Sequence, residues 1–205
     1  MNKLPPEFFL RDTVAVARDL LGRYIVRNIA DTTMICRITE TEAYVGAIDK
    51  ACHAYAGRKT SRTQTLYSAP GTAYVYQIYG MYHCLNFVTE SEGTASAVLI
   101  RGCVPLHSKD RISQYRFGVD YNDLNSTQKR NFLNGPGKLC KGLCIDKSLN
   151  NLPCGENALF LTDEISELSL PQRAENLTFN TGKRIGIDYA EEAVDFPWRF
   201  WTTEE

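Results

Sequence analysis

The chain of 205 residues is 43% hydrophobic and 23% charged, a mixture that suits one sizeable core or two small ones, and one domain over residues 1–205 is the expectation. Its 23 Lys and Arg against 24 Asp and Glu leave a net charge of −1, which argues against a simple polycation. No apolar run reaches the roughly 18 residues of a membrane span, and the opening MNKLPPEFFLRDTV has the look of neither a signal peptide nor a transit peptide. No membrane partner is expected, and the protein is expected to stay in the compartment where it is made.

In chain order, Asp12 can cap a helix in which Val14, Ala17, Leu20 and Leu21 recur at helical spacing, and Gly22 supplies a stop. RYIVRNI follows as a strand. In MICRITETEAYVG, Ile35, Arg37 and Thr39 alternate with Cys36, Ile38 and Glu40, a strand running out into Glu42, Ala43 and Tyr44 before Gly46. Residues 46–71 read as a long irregular or partly helical connection. From Thr72 to Val88 the period is again two: Tyr74, Tyr76 and Ile78 share one face, and alternation resumes after Gly80 with His83, Leu85 and Phe87 against Cys84, Asn86 and Val88. Gly80 is the only residue of that run at ease with positive φ, so a β-hairpin with an exposed tip Tyr79-Gly80-Met81-Tyr82 is predicted. SAVLIRGCVPL is a further strand, residues 107–131 are polar, and NGPGKLCKGLCI turns into a short amphipathic helix. Irregular acidic sequence precedes a last strand, PWRFW. Strands outnumber clear helices and adjoin as hairpins, which predicts an α+β fold with a mostly antiparallel sheet.

The seven cysteines form no Cys-x-x-Cys pair, and Cys140 and Cys144 lack the second pair of ligands that a structural zinc recruits, so core thiols and no metal are expected. Charge is uneven: residues 1–155 carry 19 Lys or Arg against 13 Asp or Glu, and residues 156–205 carry 4 against 11. A basic face over the first three quarters would suit a polyanion, although such asymmetry also arises on an ordinary solvated surface.

Among candidate chemical groups, Glu42 stands where an alternating strand meets a glycine-bounded loop, a common place for a catalytic carboxylate and an equally ordinary one for an exposed glutamate. His53 is either a donor near neutral pH or a hydrogen-bonded loop residue. A tyrosine-rich hairpin is a good sheet face, but a bulky aromatic at an exposed tip calls for a partner that buries it, and a wedge entering a base stack is one. Arg58, Lys59 and Arg62, with hydroxyls between them, suit phosphate oxygens, and Lys138 in GPGKLC offers a weak anion site.

Taken together, RITETEAYVG, ACHAYAGRKTSRT, PGTAYVYQIYGMYHCLNF, AVLIRGCVPL and GPGKLC, with EFFLRDTVAVARDLLG at the start and RIGIDYAEEAVDFPWRF near the end, resemble the alkyladenine (3-methyladenine, methylpurine) DNA glycosylase family over nearly the whole chain. The resemblance implies one α+β domain with a mostly antiparallel, curved β-sheet flanked by helices, and a protruding hairpin, about residues 72–88, that inserts into DNA. It implies a base-excision-repair enzyme that rotates a damaged purine (3-methyladenine, 7-methylguanine, hypoxanthine or ethenoadenine) out of the duplex and hydrolyses its N-glycosidic bond. Glu42 matches the general base, Arg101 a residue that helps hold the attacking water, and the Ile185 carbonyl a group completing the site. Tyr44, His53 and Tyr76 match the walls around the flipped base, Asn86 the residue that crowds the 2-amino group of guanine, and Leu99 a neighbour of the active site. Tyr79 matches the intercalating residue, and Met81, Tyr82, Arg58, Thr60 and Lys138 match DNA-contacting positions. No cofactor, no obligate protein partner and a monomer are implied, on double-stranded DNA with damaged purines as partner, in the nucleoid of a bacterium or a eukaryotic nucleus. With no lysine close to Glu42, hydrolysis without strand cleavage is expected. The alternative is a non-catalytic damaged-DNA-binding protein.

Overall fold

The computed structural model describes residues 1–165, 168 and 177–204. It is an α+β fold built on one curled antiparallel sheet. Two short helices, α1 (Pro6–Phe9) and α2 (Thr13–Asp19), lead into β1 (Tyr24–Ile29) and β2 (Thr32–Tyr44). A long connection with 3-10 turns reaches β3 (Ala73–Ile78), β4 (Tyr82–Thr89) and β5 (Ser96–His107). Helices α3 (Lys109–Phe117), α4 (Ser126–Arg130) and α5 (Pro136–Gly142) follow, then β6 (Leu159–Thr162), β7 (Leu177–Gly182) and β8 (Arg199–Glu204). The strand order is β3-β4-β5-β2-β1-β6. Along one edge of β2, β1 pairs with Thr32 to Arg37 and β8 with Glu40 to Glu42, while β7 pairs with β8.

The expected first helix is α2, and its cap is the Asp12 carboxylate accepting from the Ala15 N–H at 2.8 Å. Its apolar stripe, Val16, Ala17 and the following Leu20 and Leu21, is buried against Leu85, Phe87, Val98 and Ile100 of the sheet. Each such leucine contributes roughly 1.5–3 kcal/mol by leaving water. The Thr41 hydroxyl donates to the Ala17 carbonyl (2.7 Å) and ties α2 to β2. Helix α5, packed against β4 and β5, buries Leu139 and Cys140 in the same core.

Several elements differ from the sequence reading. The polar stretch 107–131 forms α3 and α4; in α3 only Ile112 and Ser113 are buried, too few to print a helical period. The acidic stretch supplies β6 and β7, while the part at 166, 167 and 169–176 lies outside the described residues. Strand β2 does not alternate evenly. Thr39 has no partner between the pairs Ile38–Cys103 and Glu40–Gly102, and Arg101 has none between Glu40–Gly102 and Thr41–Ile100. Each strand therefore carries an extra residue beside the site, a β-bulge, and its faces exchange there, while β5 has a further unpaired residue, Leu106, between the pairs Ile35–His107 and Cys36–Pro105. Cys36 and Ile38 enter the core before the bulge and Ala43 after it; Ile100 enters before and Cys103 after. Glu40 and Glu42 thus leave the core face that regular alternation would have given them.

All seven cysteines fall among the described residues and are free thiols, six of them buried. Burial raises the pKa of every one, that of Cys52 to about 11. Among the described residues no group of three or more His, Cys, Asp or Glu is placed to hold a metal ion, and no helix is long and apolar enough to cross a membrane.

Candidate active site

The bulges assemble the site on one face of the sheet. Tyr74 of β3, Asn86 of β4, Leu99 of β5, Glu42 of β2 and Arg199 of β8 lie side by side in a single cross-strand row. One pleat along, Tyr76 pairs with Cys84, and the bulged Arg101 comes to the same face. Above them opens a cavity of about 750 Å³, closed on its other sides by His53, Leu66, the hairpin, the residues around Pro136 and the 185–189 segment.

Glu42 has no exposed surface. Its Oε2 accepts from the Tyr44 hydroxyl (2.7 Å) and its Oε1 from the Ile185 N–H (2.8 Å), and Arg101 Nε stands 3.4 Å from Oε1. Tyr44, Arg101 and Ile185 all line the cavity, so the carboxylate lies directly beneath its floor. Ile185 meets Glu42 through its amide, not through the carbonyl that the sequence reading named. Burial pushes the Glu42 carboxyl above the usual carboxylate range; Arg101, the Ile185 N–H and Tyr44 oppose that shift, and the charge of Glu40 adds to it. The arrangement suits a proton acceptor of raised basicity.

His53 packs edge-on against Tyr76 with ring centroids 4.6 Å apart, and its Nδ1 is 3.0 Å from the Tyr74 hydroxyl. Arg62 Nη2 is 3.5 Å from His53 Nε2, and the Arg62 guanidinium stands 5.1 Å over the Tyr76 ring. Because arginine only donates, Nε2 is the acceptor and Nδ1 carries the proton given to Tyr74. Burial, with Arg62 nearby, lowers the His53 pKa to about 4, so His53 is a neutral hydrogen-bonding wall. Asn86 is buried, its Nδ2 donating to the Tyr74 carbonyl (3.0 Å), and Leu99 sits between Asn86 and Glu42.

Tyr79 is 88% exposed at the hairpin tip. The loop is Tyr79-Gly80-Met81, closed by the Met81 N–H donating to the Ile78 carbonyl (3.2 Å), and Tyr82 already belongs to β4. Tyr79 as well as Gly80 has positive φ, 49° and 70°. The sequence reading reserved that region for Gly80, and holding a tyrosine there costs roughly 1–2 kcal/mol. Met81 and Tyr82 are also exposed, and Tyr82 is braced from behind by α5: a Cβ on Gly137 would come within 3.0 Å of it. Lys138 lines the cavity, its Nζ donating to Asn131 Oδ1 (2.9 Å), while Arg58 and Thr60 lie on the exposed loop before His53's partner Arg62.

Sequence reasoning missed three groups. Arg184 donates to both oxygens of Asp49 (2.5 and 2.8 Å) with both side chains fully buried, and its guanidinium lies between the Tyr44 and Trp198 rings. Glu40 accepts from Arg101 and Arg199. Tyr189, two-thirds exposed, stands on the cavity rim. All three fall inside the quoted motifs, Glu40 in RITETEAYVG and Arg184 and Tyr189 in RIGIDYAEEAVDFPWRF, but nothing there singled them out.

Residues 7–205 match the family model of methylpurine-DNA glycosylase. A Clostridium perfringens protein with the provisional name 3-methyladenine DNA glycosylase is 49% identical over 97% of this chain and 95% of its own. Similarly named proteins from Desulfitobacterium hafniense and Clostridioides difficile are 45% and 43% identical, over 98% and 95% of this chain and 95% and 98% of theirs. A match that runs from α1 to β8, at such identity, means that the chain belongs to the methylpurine-DNA glycosylase family, hydrolases that act on N-glycosyl bonds in DNA.

Proposed function

We propose that this protein, as one domain over residues 1–205, flips alkylated or deaminated purines out of duplex DNA and hydrolyses the glycosidic bond with a water activated by Glu42. The observation that carries the reading is a fully buried carboxylate of raised basicity, held by two hydrogen-bond donors and the Arg101 guanidinium directly under a cavity with aromatic walls. Glu42 takes the proton of the water and its negative charge steadies the cationic sugar that forms as the base leaves. His53, Tyr44 and Tyr76 enclose the base, and a cationic methylated purine gains from their π faces. Asn86 stands where a guanine amino group would press, so selectivity is partly steric. Tyr79 fills the gap in the stack, with Met81 and Tyr82 beside it, and Arg58, Thr60 and Lys138 take phosphates.

Strand cleavage would need a neutral amine to form a Schiff base. Lys50 is paired with Glu191 and Glu192, which hold its pKa above the usual lysine value. The protein is proposed to act as a monomeric, monofunctional hydrolase on damaged duplex DNA.

The deciding assay measures free base released from a duplex with a single hypoxanthine, alongside methylated DNA. Release without strand scission is expected; binding with no release from either would leave a damaged-DNA reader instead. In the same assay, Tyr79→Ala should lose roughly 1–3 kcal/mol of stacking, about fivefold to 150-fold in kcat/KM on duplex, with little change on a single strand. An unaltered preference for duplex would count against the wedge. Since only ionised Glu42 accepts a proton and its pKa is raised, the acid limb of kcat/KM is expected above the ordinary glutamate value, a prediction checked by a profile from pH 4 to 8.

A further inference from the structure

Two carboxylates face one guanidinium on the site face of the sheet. Arg101 Nε carries a single hydrogen, and that hydrogen lies between Glu40 Oε1 at 3.3 Å and Glu42 Oε1 at 3.4 Å; only the contact with Glu40 has hydrogen-bond geometry. The same Glu40 oxygen accepts from Arg199 Nη1 at 3.1 Å. Gly102 makes room for this arrangement, because a Cβ there would come within 3.2 Å of the Glu40 Cβ. Both bulges contribute: Thr39 turns Glu40 out of the core and Arg101 is itself an extra residue of β5.

We propose that Glu40 is a positioning residue that sets the basicity of Glu42 by competing with it for Arg101. The proposal rests on Glu42 being the general base. Were Arg101 to give its Nε–H wholly to Glu42, that oxygen would be occupied by two donors, and a tightly paired carboxylate is a poor base. Glu40 draws the hydrogen away, and Arg199 holds Glu40 in place from β8. The other groups facing Glu42 are Tyr44 on β2, Cys84 on β4, Arg199 on β8 and the Ile185 N–H. None of these can replace Glu40, because no other acceptor contests the Arg101 Nε–H among the described residues.

The effects of the two supporting charges have opposite sign, which separates tuning from damage. Glu40→Gln removes a negative charge and frees Arg101 for Glu42, so the acid limb of kcat/KM should move down by about one unit. Its plateau kcat should fall severalfold, at most about tenfold for one unit of basicity, while KM for the duplex lesion stays unchanged, since Glu40 touches no base. Arg199→Gln removes a positive charge and leaves the charge of Glu40 unbalanced, so the limb should move up. In an Arg101→Met background the effect of Glu40→Gln on kcat should shrink to the direct influence of the Glu40 charge on Glu42, because the competition acts through that arginine.

Profiles of the folded variants decide the matter, with melting curves run on the same samples. A limb that stays put in either single variant, or a Glu40→Gln loss that is undiminished in Arg101→Met, overturns the role of Glu40. A wild-type limb that survives Glu42→Gln overturns the Glu42 reading first, and this inference with it. If Glu40→Gln does not fold, Arg199→Gln, at a less buried position, still reads the sign of the shift.

Discussion

Glu42→Gln should stop base release while leaving the protein at least as stable as before. General-base catalysis contributes about 10²–10⁴-fold, and loss of the carboxylate charge beside the developing sugar cation adds to it, so the single-turnover rate should fall by at least about a thousandfold. The amide keeps the shape: its oxygen can accept from the Ile185 N–H and its NH2 can donate to the Tyr44 oxygen in place of the present bond. Stability follows from the direction of the pKa. The folded carboxyl titrates above its unfolded value, so between the two the folded state binds a proton that the unfolded state has released, and stability falls as pH rises through that window. Above it the buried charge is a standing penalty that glutamine does not carry. Melting at pH 8 should therefore be equal or higher for Glu42→Gln than for wild type, and base release should be absent. Substantial release by the variant would remove Glu42 from the mechanism.

Asp49→Ala should be the most destabilising single change near the site. It leaves the Arg184 guanidinium fully buried without its carboxylate, although the carbonyls of Ala43 (2.8 Å) and Ala193 (3.2 Å) still accept from it. Breaking such a pair costs about 3–5 kcal/mol, roughly 6–20 °C in Tm for a chain of this length. Activity should fall with it, because Arg184 precedes Ile185, whose N–H holds Glu42, and stacks on Tyr44, whose hydroxyl holds it too. Replacing both partners together, Asp49→Leu with Arg184→Met, should recover much of the loss, since no charge is then stranded. A Tm change under 2 °C for Asp49→Ala, read by calorimetry, would show that the pair is not holding this corner.

The hairpin was legible because its signals are local: a two-residue period on both sides of one glycine fixes the strands and the turn. The cross-strand row was legible only in pieces. Glu42 could be named from its setting and Asn86 and Leu99 through the family resemblance, yet that the three stand abreast depends on strand register, which no single segment contains. The bulges at Thr39 and Arg101 were not readable, since an unpaired residue looks like any other until its partner strand is known. Regular alternation would have turned Glu42 toward α2 with Cys36 and Ile38. The Asp49–Arg184 pair is hidden for a related reason: its members are 135 residues apart, and a charged residue in a loop ordinarily signals solvent. Strand β7 escaped notice because Leu177, Thr178 and Phe179 carry little burial to imprint a period.

The seven free cysteines have a bearing on the conditions in which this family works. Reagents that methylate ring nitrogens of purines also methylate sulfur, and they do so through the thiolate. Here six cysteines are buried and all seven thiols are held in the neutral form at ordinary pH. The packing that fills the core therefore also shields these thiols from electrophiles of that class.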